Sequence, residues 1–211
     1  MAKGPATPTT RRRRLAVDLL LFLVLLALLA FLFLSSENPY LTEKQALKGT
    51  QAVSLYGPGK TLASAEYDSH IVYLLRDGNS YALCRLSRPD PLFWSNGYLE
   101  AVTNDPDYPM MPLINVDSLL VICNDPEIAQ VELVYYIYGG GEDGGFHVLR
   151  QTEPLVENCW LFPCHGSVAT GTIDDDGFLL RGYNANGTLI HETAVPEVWT
   201  DFWDLTIPEA R

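Results

Sequence analysis

The stretch that decides the fold is "SHIVYLLRDGNSYALCRL", residues 69–86. Two runs rich in aromatic, leucine and β-branched residues flank the dipeptide Asp77-Gly78. An Asp-Gly pair between such runs is a strong signal for a tight hairpin turn. The stretch therefore predicts two antiparallel strands, with Cys84 and Leu86 sharing a core-facing side of the second strand.

The same signals recur downstream of this hairpin. The segment 119–141, "LLVICNDPEIAQVELVYYIYGGG", predicts a strand, a proline turn and a long strand from about Ala129 to Tyr138. The segment 171–192, "GTIDDDGFLLRGYNANGTLIHE", predicts three short strands because Asp-Gly and Asn-Gly turns divide it. Such spacing indicates roughly eight to ten short antiparallel strands in all.

One segment between these strands is harder to assign. Residues Arg88–Asn115 contain five prolines, and proline cannot donate a hydrogen bond to a neighbouring strand. We therefore expect an irregular excursion here, with a single strand near Phe93–Val102.

Upstream of the strands, the segment Leu41–Gly57 predicts one helix. Thr42 can cap its start, and Gln45 three residues later completes a capping box. The sequence Gly57-Pro58-Gly59 ends the helical pattern.

A long apolar run precedes this helix. All twenty residues from Leu15 to Leu34 are apolar except Asp18, and a helix of that length spans about 30 Å, the thickness of the hydrocarbon core of a bilayer. The run is longer than the apolar region of a cleaved signal peptide, and Phe33-Leu34-Ser35 fits a cleavage site poorly. Residues 15–34 are thus predicted to be a transmembrane helix whose partner is the lipid bilayer.

The flanking charges predict the orientation of this helix. The run is preceded by five basic residues: Lys3, Arg11, Arg12, Arg13 and Arg14. After the run, the one charged residue of segment 35–40 is Glu37. Positive charges favour the cytoplasmic side of a membrane. We therefore expect a single-pass plasma-membrane protein with a cytoplasmic N-terminus and its C-terminal domain outside.

The predicted outer part of the chain is strongly acidic. The whole chain has a net charge of −12, but five of its 14 basic residues precede the apolar run. Residues 35–211 therefore contain 9 basic residues against 25 acidic ones. A surface of this charge repels nucleic acid, so we expect no nucleic-acid partner.

Two cysteines lie close together in "ENCWLFPCHG", residues 157–166. Outside the cytoplasm cysteines most often form disulfides, and Pro163 could bend a small loop between Cys159 and Cys164. A Cys159–Cys164 disulfide is the expectation, with two free thiols as the first alternative. A zinc site that includes His165 is the second alternative. The four residues between Cys159 and Cys164 lie at the edge of the range of cysteine spacings that zinc sites use.

Other motifs predict no metal site, catalytic residue or cofactor. Asp174–Gly177 resembles the start of a calcium loop but is not followed by the glutamate that an EF-hand requires. Tyr138–Phe146 is glycine-rich but contains no lysine for a phosphate loop. Trp199 and Trp203 are spaced four residues apart, which is typical of aromatic side chains that cover a core.

One hairpin carries a resemblance to known proteins. "GYNANGTLIHE", residues 182–192, resembles the hairpin motif of exported bacterial β-domains, including RHS-type repeats. In layout, the chain resembles uncharacterised single-pass envelope proteins of Gram-positive bacteria: a basic start, a leucine-rich anchor, a short helix and an acidic β-domain. The resemblance implies an envelope location and implies no activity.

Together these observations predict an α+β fold that is mostly antiparallel β, either sandwich-like or an open sheet covered by a helix, preceded by one N-terminal transmembrane helix. The predicted parts are a basic tail (1–14), the transmembrane helix (15–34), a linker (35–40) and an extracytoplasmic domain (41–211). Without a catalytic motif, a non-catalytic binding module for a protein or glycan partner is the leading interpretation. An envelope hydrolase that uses unrecognised carboxylates, possibly acting on glycans, is the alternative.

Overall fold

A computed structural model describes residues 8–35, 40–67, 70–88, 93–116, 118–137, 144–164 and 177–210. The two α-helices are α1 (Pro8–Ser35) and α2 (Glu43–Val53). The strands are β1 (Lys60–Tyr67), β2 (His70–Asp77), β3 (Ser80–Ser87), β4 (Tyr98–Thr103), β5 (Met110–Asn115), β6 (Ser118–Cys123), β7 (Gln130–Ile137), β8 (Gly145–Gln151), β9 (Cys159–Pro163), β10 (Phe178–Tyr183) and β11 (Leu189–Glu192). A short π-helical turn, Val198–Phe202, follows β11.

The first helix stands apart from the other elements in its composition and exposure. Within Arg12–Phe33 of α1, an 18-residue window has a mean hydropathy of 3.0, and none of that window is buried. Among the described residues, it is the one helix that is long and apolar enough to cross a membrane. A signal sequence near the N-terminus has the same properties.

The strands form three antiparallel sheets. The front sheet has the order β1-β2-β3-β4, the central sheet β5-β6-β9, and the back sheet β11-β10-β7-β8. The predicted hairpin is present in the front sheet, where Asp77 pairs with Ser80. Gly78 occupies the turn with a φ of 59°, a left-handed conformation that glycine adopts without strain.

The central sheet is buried on both of its faces. Every residue of β6 is buried. Leu120 and Ile122 pack with side chains of the front sheet, whereas Leu119 and Val121 pack with side chains of the back sheet. Because successive side chains of a strand point to opposite faces, one short apolar strand joins two hydrophobic cores.

The three sheets stack on one another, and each of the two outer faces of this stack is covered by another segment. Helix α2 covers the front sheet through Ala46, which packs with Leu75 and Leu86. The C-terminal segment covers the back sheet, where Trp199 is fully buried against Val134. The resulting order of layers is α2, front sheet, central sheet, back sheet and C-terminal segment.

Helix α2 is tied to the front sheet by polar contacts as well as by packing. The predicted capping box is confirmed: the Thr42 hydroxyl accepts a hydrogen bond from the Gln45 N–H, and the Gln45 side chain accepts one from the Thr42 N–H. The Tyr73 hydroxyl donates to Glu43. In the last turn of the helix, the Thr50 hydroxyl accepts from the Gly97 N–H at 2.8 Å.

A tyrosine fixes the segment that enters α2. The backbone of Tyr40 forms two hydrogen bonds with Trp94, each of 2.8 Å. The Tyr40 ring lies over Gly49, where a Cβ atom would approach the ring hydroxyl to 2.1 Å. Glycine at this position therefore allows the entering chain to pack directly on the helix.

The predicted fold class is confirmed, with two corrections to its details. The chain is mostly antiparallel β with few helices and a long apolar N-terminal helix. Sheets stack as in a sandwich, but there are three of them, and a helix covers one face. The proline-rich segment contains two strands, β4 and β5, rather than one. The first strand predicted for the C-terminal meander, near Thr172, falls outside the described residues.

Candidate binding site

A row of alternating charges crosses the outer face of the back sheet. Strand pairing places Glu192 opposite Arg181, Arg181 opposite Glu132, and Glu132 opposite Arg150. The four residues lie on β11, β10, β7 and β8 in that order, so the charge alternates at each step across the sheet. Directly opposed side chains of unlike charge stabilise neighbouring strands.

Glu132 lies at the centre of this row and is fully buried. Its Oε1 atom accepts hydrogen bonds from Nη1 of Arg181 at 2.9 Å and from the hydroxyl of Tyr183 at 3.3 Å. Its Oε2 atom accepts from Nε of Arg150. Both oxygen atoms of this buried carboxylate therefore accept hydrogen bonds, which offset the cost of its burial.

Arg181 links the row to the C-terminal segment. Its Nε donates to Oε1 of Glu192 at 2.6 Å, and its Nη2 donates to the carbonyl oxygen of Pro208 at 2.8 Å. Burial lowers the pKa of Arg181, but its hydrogen bonds to Glu192 and Glu132 outweigh that effect and raise the pKa above its usual value. Arg181 therefore stays charged and holds the C-terminal segment on the sheet.

A cleft opens beside the charged row, at the edge where Arg150 lies. Its volume is about 620 Å³, and its described lining residues are Val148 and Arg150 of β8 with Pro208 and Glu209 of the C-terminal segment. That volume is in the range of small-molecule and peptide pockets. The bond to Glu132 orients the guanidinium of Arg150, whose other N–H groups can donate to a carbonyl, hydroxyl or carboxylate oxygen of a ligand.

A second polar contact joins distant parts of the chain. His191 of β11 lies with its Nε2 atom 2.5 Å from Oδ2 of Asp125, which belongs to the turn between β6 and β7. Asp125 also accepts a hydrogen bond from the backbone of Glu127 at 2.8 Å. The hydrogen bond to His191 is the main cause that lowers the pKa of Asp125, and the bond from Glu127 adds to it.

The Asp125–His191 contact predicts a defined acid sensitivity. The pKa of Asp125 is lower in the folded chain than its ordinary value of 3.8, so this carboxylate stabilises the fold fully above about pH 4. That stabilisation is lost as the pH falls through the lowered pKa. In urea unfolding between pH 2 and pH 7, Asp125→Asn should be less stable than the unmodified chain above pH 4, and the two should converge at the acid end.

The control for this measurement is Asp107→Asn, which changes an exposed aspartate between β4 and β5. It should leave the pH profile close to that of the unmodified chain. A profile for Asp125→Asn that runs parallel to the unmodified one at every pH would contradict the role assigned to this carboxylate.

The predicted Cys159–Cys164 disulfide is not formed, and the geometry of β9 explains why. The segment between the two cysteines is an extended strand, not a bent loop, and Pro163 is its last residue. Five residues of extended strand span about 16 Å, whereas a disulfide requires Cα atoms within about 7 Å. The two side chains also face opposite sides of the central sheet, since Cys159 packs towards the front sheet and Cys164 towards the back sheet.

All four cysteines belong to the core. Cys84 packs under α2, as its strand pattern predicted, and Cys123 packs between the central and back sheets. Burial raises the pKa of the thiols of Cys84, Cys123 and Cys159 to about 12 in each case. These three thiols therefore stay protonated and unreactive in the folded chain at neutral pH.

Several other sequence candidates fall outside the described residues. This group contains His165, Asp174–Asp176 and residues 138–143 of the glycine-rich segment Tyr138–Phe146. Within the described part of the chain, no group of three His, Cys, Asp or Glu side chains could hold a metal ion. Arg12, Arg13 and Arg14 lie in the first turns of α1 with exposed side chains, and Arg11 lies in the same helix.

Sequence reasoning missed Glu132 and Arg181, although a signal for them was present. Each is a lone charged residue inside an apolar strand, in "QVELVYY" and "FLLRGY" respectively. Charged residues are almost never fully buried unless they are paired. Two lone opposite charges on predicted strands therefore pointed to an ion pair, but only the pairing of β7 with β10 shows that they meet.

These features define a class of protein: an apolar N-terminal helix followed by a domain of three stacked antiparallel sheets with a polar cleft at one outer edge. The chain belongs to the family described as Domain of unknown function (DUF5044), whose model matches residues 39–202. No curated protein matches the chain, and no solved structure matches it.

Proposed function

We propose that this chain is a single-pass membrane protein of the bacterial envelope, whose β-domain is a non-catalytic binding module outside the cell. Helix α1 anchors it, with the N-terminus in the cytoplasm. The observation that carries the proposal is the exposure of the apolar side chains along Arg12–Phe33, none of which is buried by the folded domain. An apolar surface of this size in water is unfavourable, and a bilayer is its natural environment.

Two further observations support this proposal. The segment Arg12–Phe33 measures about 33 Å at the usual helical rise, close to the hydrocarbon thickness of a bilayer. Five basic residues, including Lys3, precede the apolar run, and 25 of the 26 acidic residues follow it. The layout shared with envelope proteins of Gram-positive bacteria agrees with this arrangement.

The topology can be tested by thiol labelling in intact cells. Because the native cysteines are buried, a single added surface cysteine can be labelled selectively. A reagent that does not cross membranes should label Asn186→Cys, in the exposed turn between β10 and β11, and should not label Lys3→Cys. Replacing Arg11–Arg14 with neutral residues should weaken this asymmetry, because those charges determine the orientation.

Labelling of Lys3→Cys in intact cells would contradict the proposed orientation. Retention should be measured in the same cells by alkaline extraction of membranes and by the mass of the mature chain. A mature chain that has lost residues 1–34, and that leaves the membrane on extraction, would identify α1 as a cleaved signal sequence instead.

The binding role is assigned to the cleft beside Arg150. Half-exposed Arg150 is held by the buried carboxylate of Glu132, and the C-terminal segment forms the facing wall. A rigidly held guanidinium beside the apolar surface of Val148 and Pro208 suits a peptide or glycan that presents oxygen acceptors. We therefore propose that the partner is a protein or glycan of the envelope.

Photo-cross-linking in intact cells can test this site. Val148 and Leu155 are matched positions, because their exposed fractions are 40% and 39% and only Val148 lines the cleft. A benzophenone amino acid at position 148 should give a discrete adduct that is absent at position 155. Equal adduct yields at both positions would remove the cleft from consideration as the binding surface.

The envelope-hydrolase alternative gains no specific support from the cleft. Glycoside hydrolysis generally uses two carboxyl groups that flank the scissile bond. Glu209 is the one carboxyl-bearing residue among the described lining residues.

A further inference from the structure

We infer that the outward face of α2 is a second membrane-contact surface that lies on the lipid headgroups beside the anchor. The inference rests on the proposed anchoring role of α1. It adds a partner for a surface of the β-domain itself: an anionic lipid surface.

The composition of this face is the first observation. Lys44, Lys48 and Ala52 are exposed and spaced four residues apart, so they share the side of α2 that points away from the front sheet. Leu41 and Leu55 extend the surface at the two ends of the helix, and Leu55 is 94% exposed. Apolar residues combined with lysines are typical of helices that lie in a membrane interface.

The charge of this face is the second observation. The chain after residue 35 has 9 basic residues against 25 acidic ones, yet two of the nine lie on this one helical face. A strongly acidic domain is repelled by anionic lipid wherever its surface has its average charge. The face of α2 is therefore a place where such a domain can approach an anionic bilayer.

The position of this face relative to the anchor is the third observation. A cleft of about 450 Å³ is lined by Phe33 at the end of α1 together with Tyr40, Leu41, Gln45, Lys48 and Gly49. The ring of Phe33 also lies 6.0 Å from that of Phe93, in an edge-to-face contact. The end of the proposed membrane span thus adjoins the outward face of α2, so both meet the same interface.

Contacts on two sides of α2 fix the orientation of its outward face relative to the rest of the domain. Tyr40 is bound to Trp94 by two backbone hydrogen bonds, and its ring packs on Gly49. Thr50 and Tyr56 fix the other side of the helix region to the front sheet, through Gly97 and Ser80. If α1 crosses the bilayer, the orientation of the whole domain follows from this one surface.

Spin labels on the full-length chain in vesicles test the inference. Single cysteines replace Leu25 in α1, Leu55 at the end of α2 and Asn186 on the opposite sheet, and each carries a nitroxide. The measured quantity is the collision rate of the nitroxide with oxygen divided by its collision rate with a water-soluble nickel complex. In vesicles that contain phosphatidylglycerol, this ratio should be several-fold higher at positions 25 and 55 than at position 186.

Variants of Lys44 and Lys48 distinguish contact of α2 with anionic lipid from simple proximity of α2 to the bilayer. Each lysine near an anionic surface favours contact about fivefold, so Lys44→Glu with Lys48→Glu should reduce the ratio of lipid-seated to water-exposed label at position 55 at least about 25-fold. The matched pair Lys44→Arg with Lys48→Arg should preserve it. Pure phosphatidylcholine vesicles should act like the glutamate variant.

The three labels distinguish the possible failures. A lipid-seated label at position 25 with a water-exposed label at position 55 would overturn the inference and leave the anchor intact. Water exposure at both positions would overturn the anchor and this inference together.

Discussion

Glu132→Ala should lower the free energy of unfolding by about 3–5 kcal/mol, the largest effect that we expect from a single charged residue in this chain. The substitution removes the carboxylate that neutralises buried Arg181 and orients Arg150. A buried guanidinium then loses the partner that offset its desolvation. Since domains of this size are stable by only about 5–15 kcal/mol, urea unfolding of the variant should show a much lower midpoint.

Two control variants separate the cost of leaving Arg181 without its partner from the net contribution of the ion pair to stability. Glu192→Ala removes a carboxylate from the other end of the row, but its side chain is 39% exposed, so the loss should be about 0–1 kcal/mol. The double variant Glu132→Leu with Arg181→Met removes both central charges and should recover most of the stability lost in Glu132→Ala. A double variant less stable than Glu132→Ala would show that the charged row itself contributes net stability.

Leu119→Ala and Leu120→Ala should each lower the free energy of unfolding by about 2–5 kcal/mol. The two residues are neighbours on β6, and both are fully buried. Leu120 lies in the core shared with the front sheet, and Leu119 in the core shared with the back sheet. Each substitution therefore leaves a cavity in a different core.

The pair tests the stacking of three sheets directly. In a two-layer sandwich, one of two adjacent strand residues would face solvent, and its truncation would cost about 0.5 kcal/mol or less. Leu155→Ala is the matched control, because this leucine is partly exposed and should show such a small effect. A small loss at either position 119 or position 120 would contradict the double burial of the central sheet.

Local sequence signals were enough to predict the hairpins and the start of α2. Gly78 and Asn186-Gly187 lie in turns between paired strands, because a tight turn needs residues that tolerate positive φ, as Gly78 and Gly187 do. The capping box at Thr42 depends on a spacing of three residues, which can be read directly from the sequence. Such features depend on neighbouring residues alone.

Features that depend on packing between distant segments were not predictable in the same way. β5 was missed because its Pro112 argues against a central strand, yet β5 is an edge strand, where proline is tolerated. The run "WLFP" was interpreted as a loop between two cysteines, but it pairs with β6 as part of the central sheet. The cleft was not predictable, because its walls come from β8 and from residues near the C-terminus.

The order in which the strands of the three sheets occur along the chain has a consequence for how the domain assembles. All four strands of the front sheet are consecutive, and each pairs with its sequence neighbour, so this layer can form as soon as residue 103 is available. In the central sheet, β6 cannot pair with β9 until residue 163 has been made, and Arg181 cannot bind Pro208 until residue 208 has been made. Contacts between distant segments form slowly because the intervening chain must be ordered first. During synthesis, the inner face of a preformed front sheet would therefore remain uncovered until the strands of the two later sheets had been made.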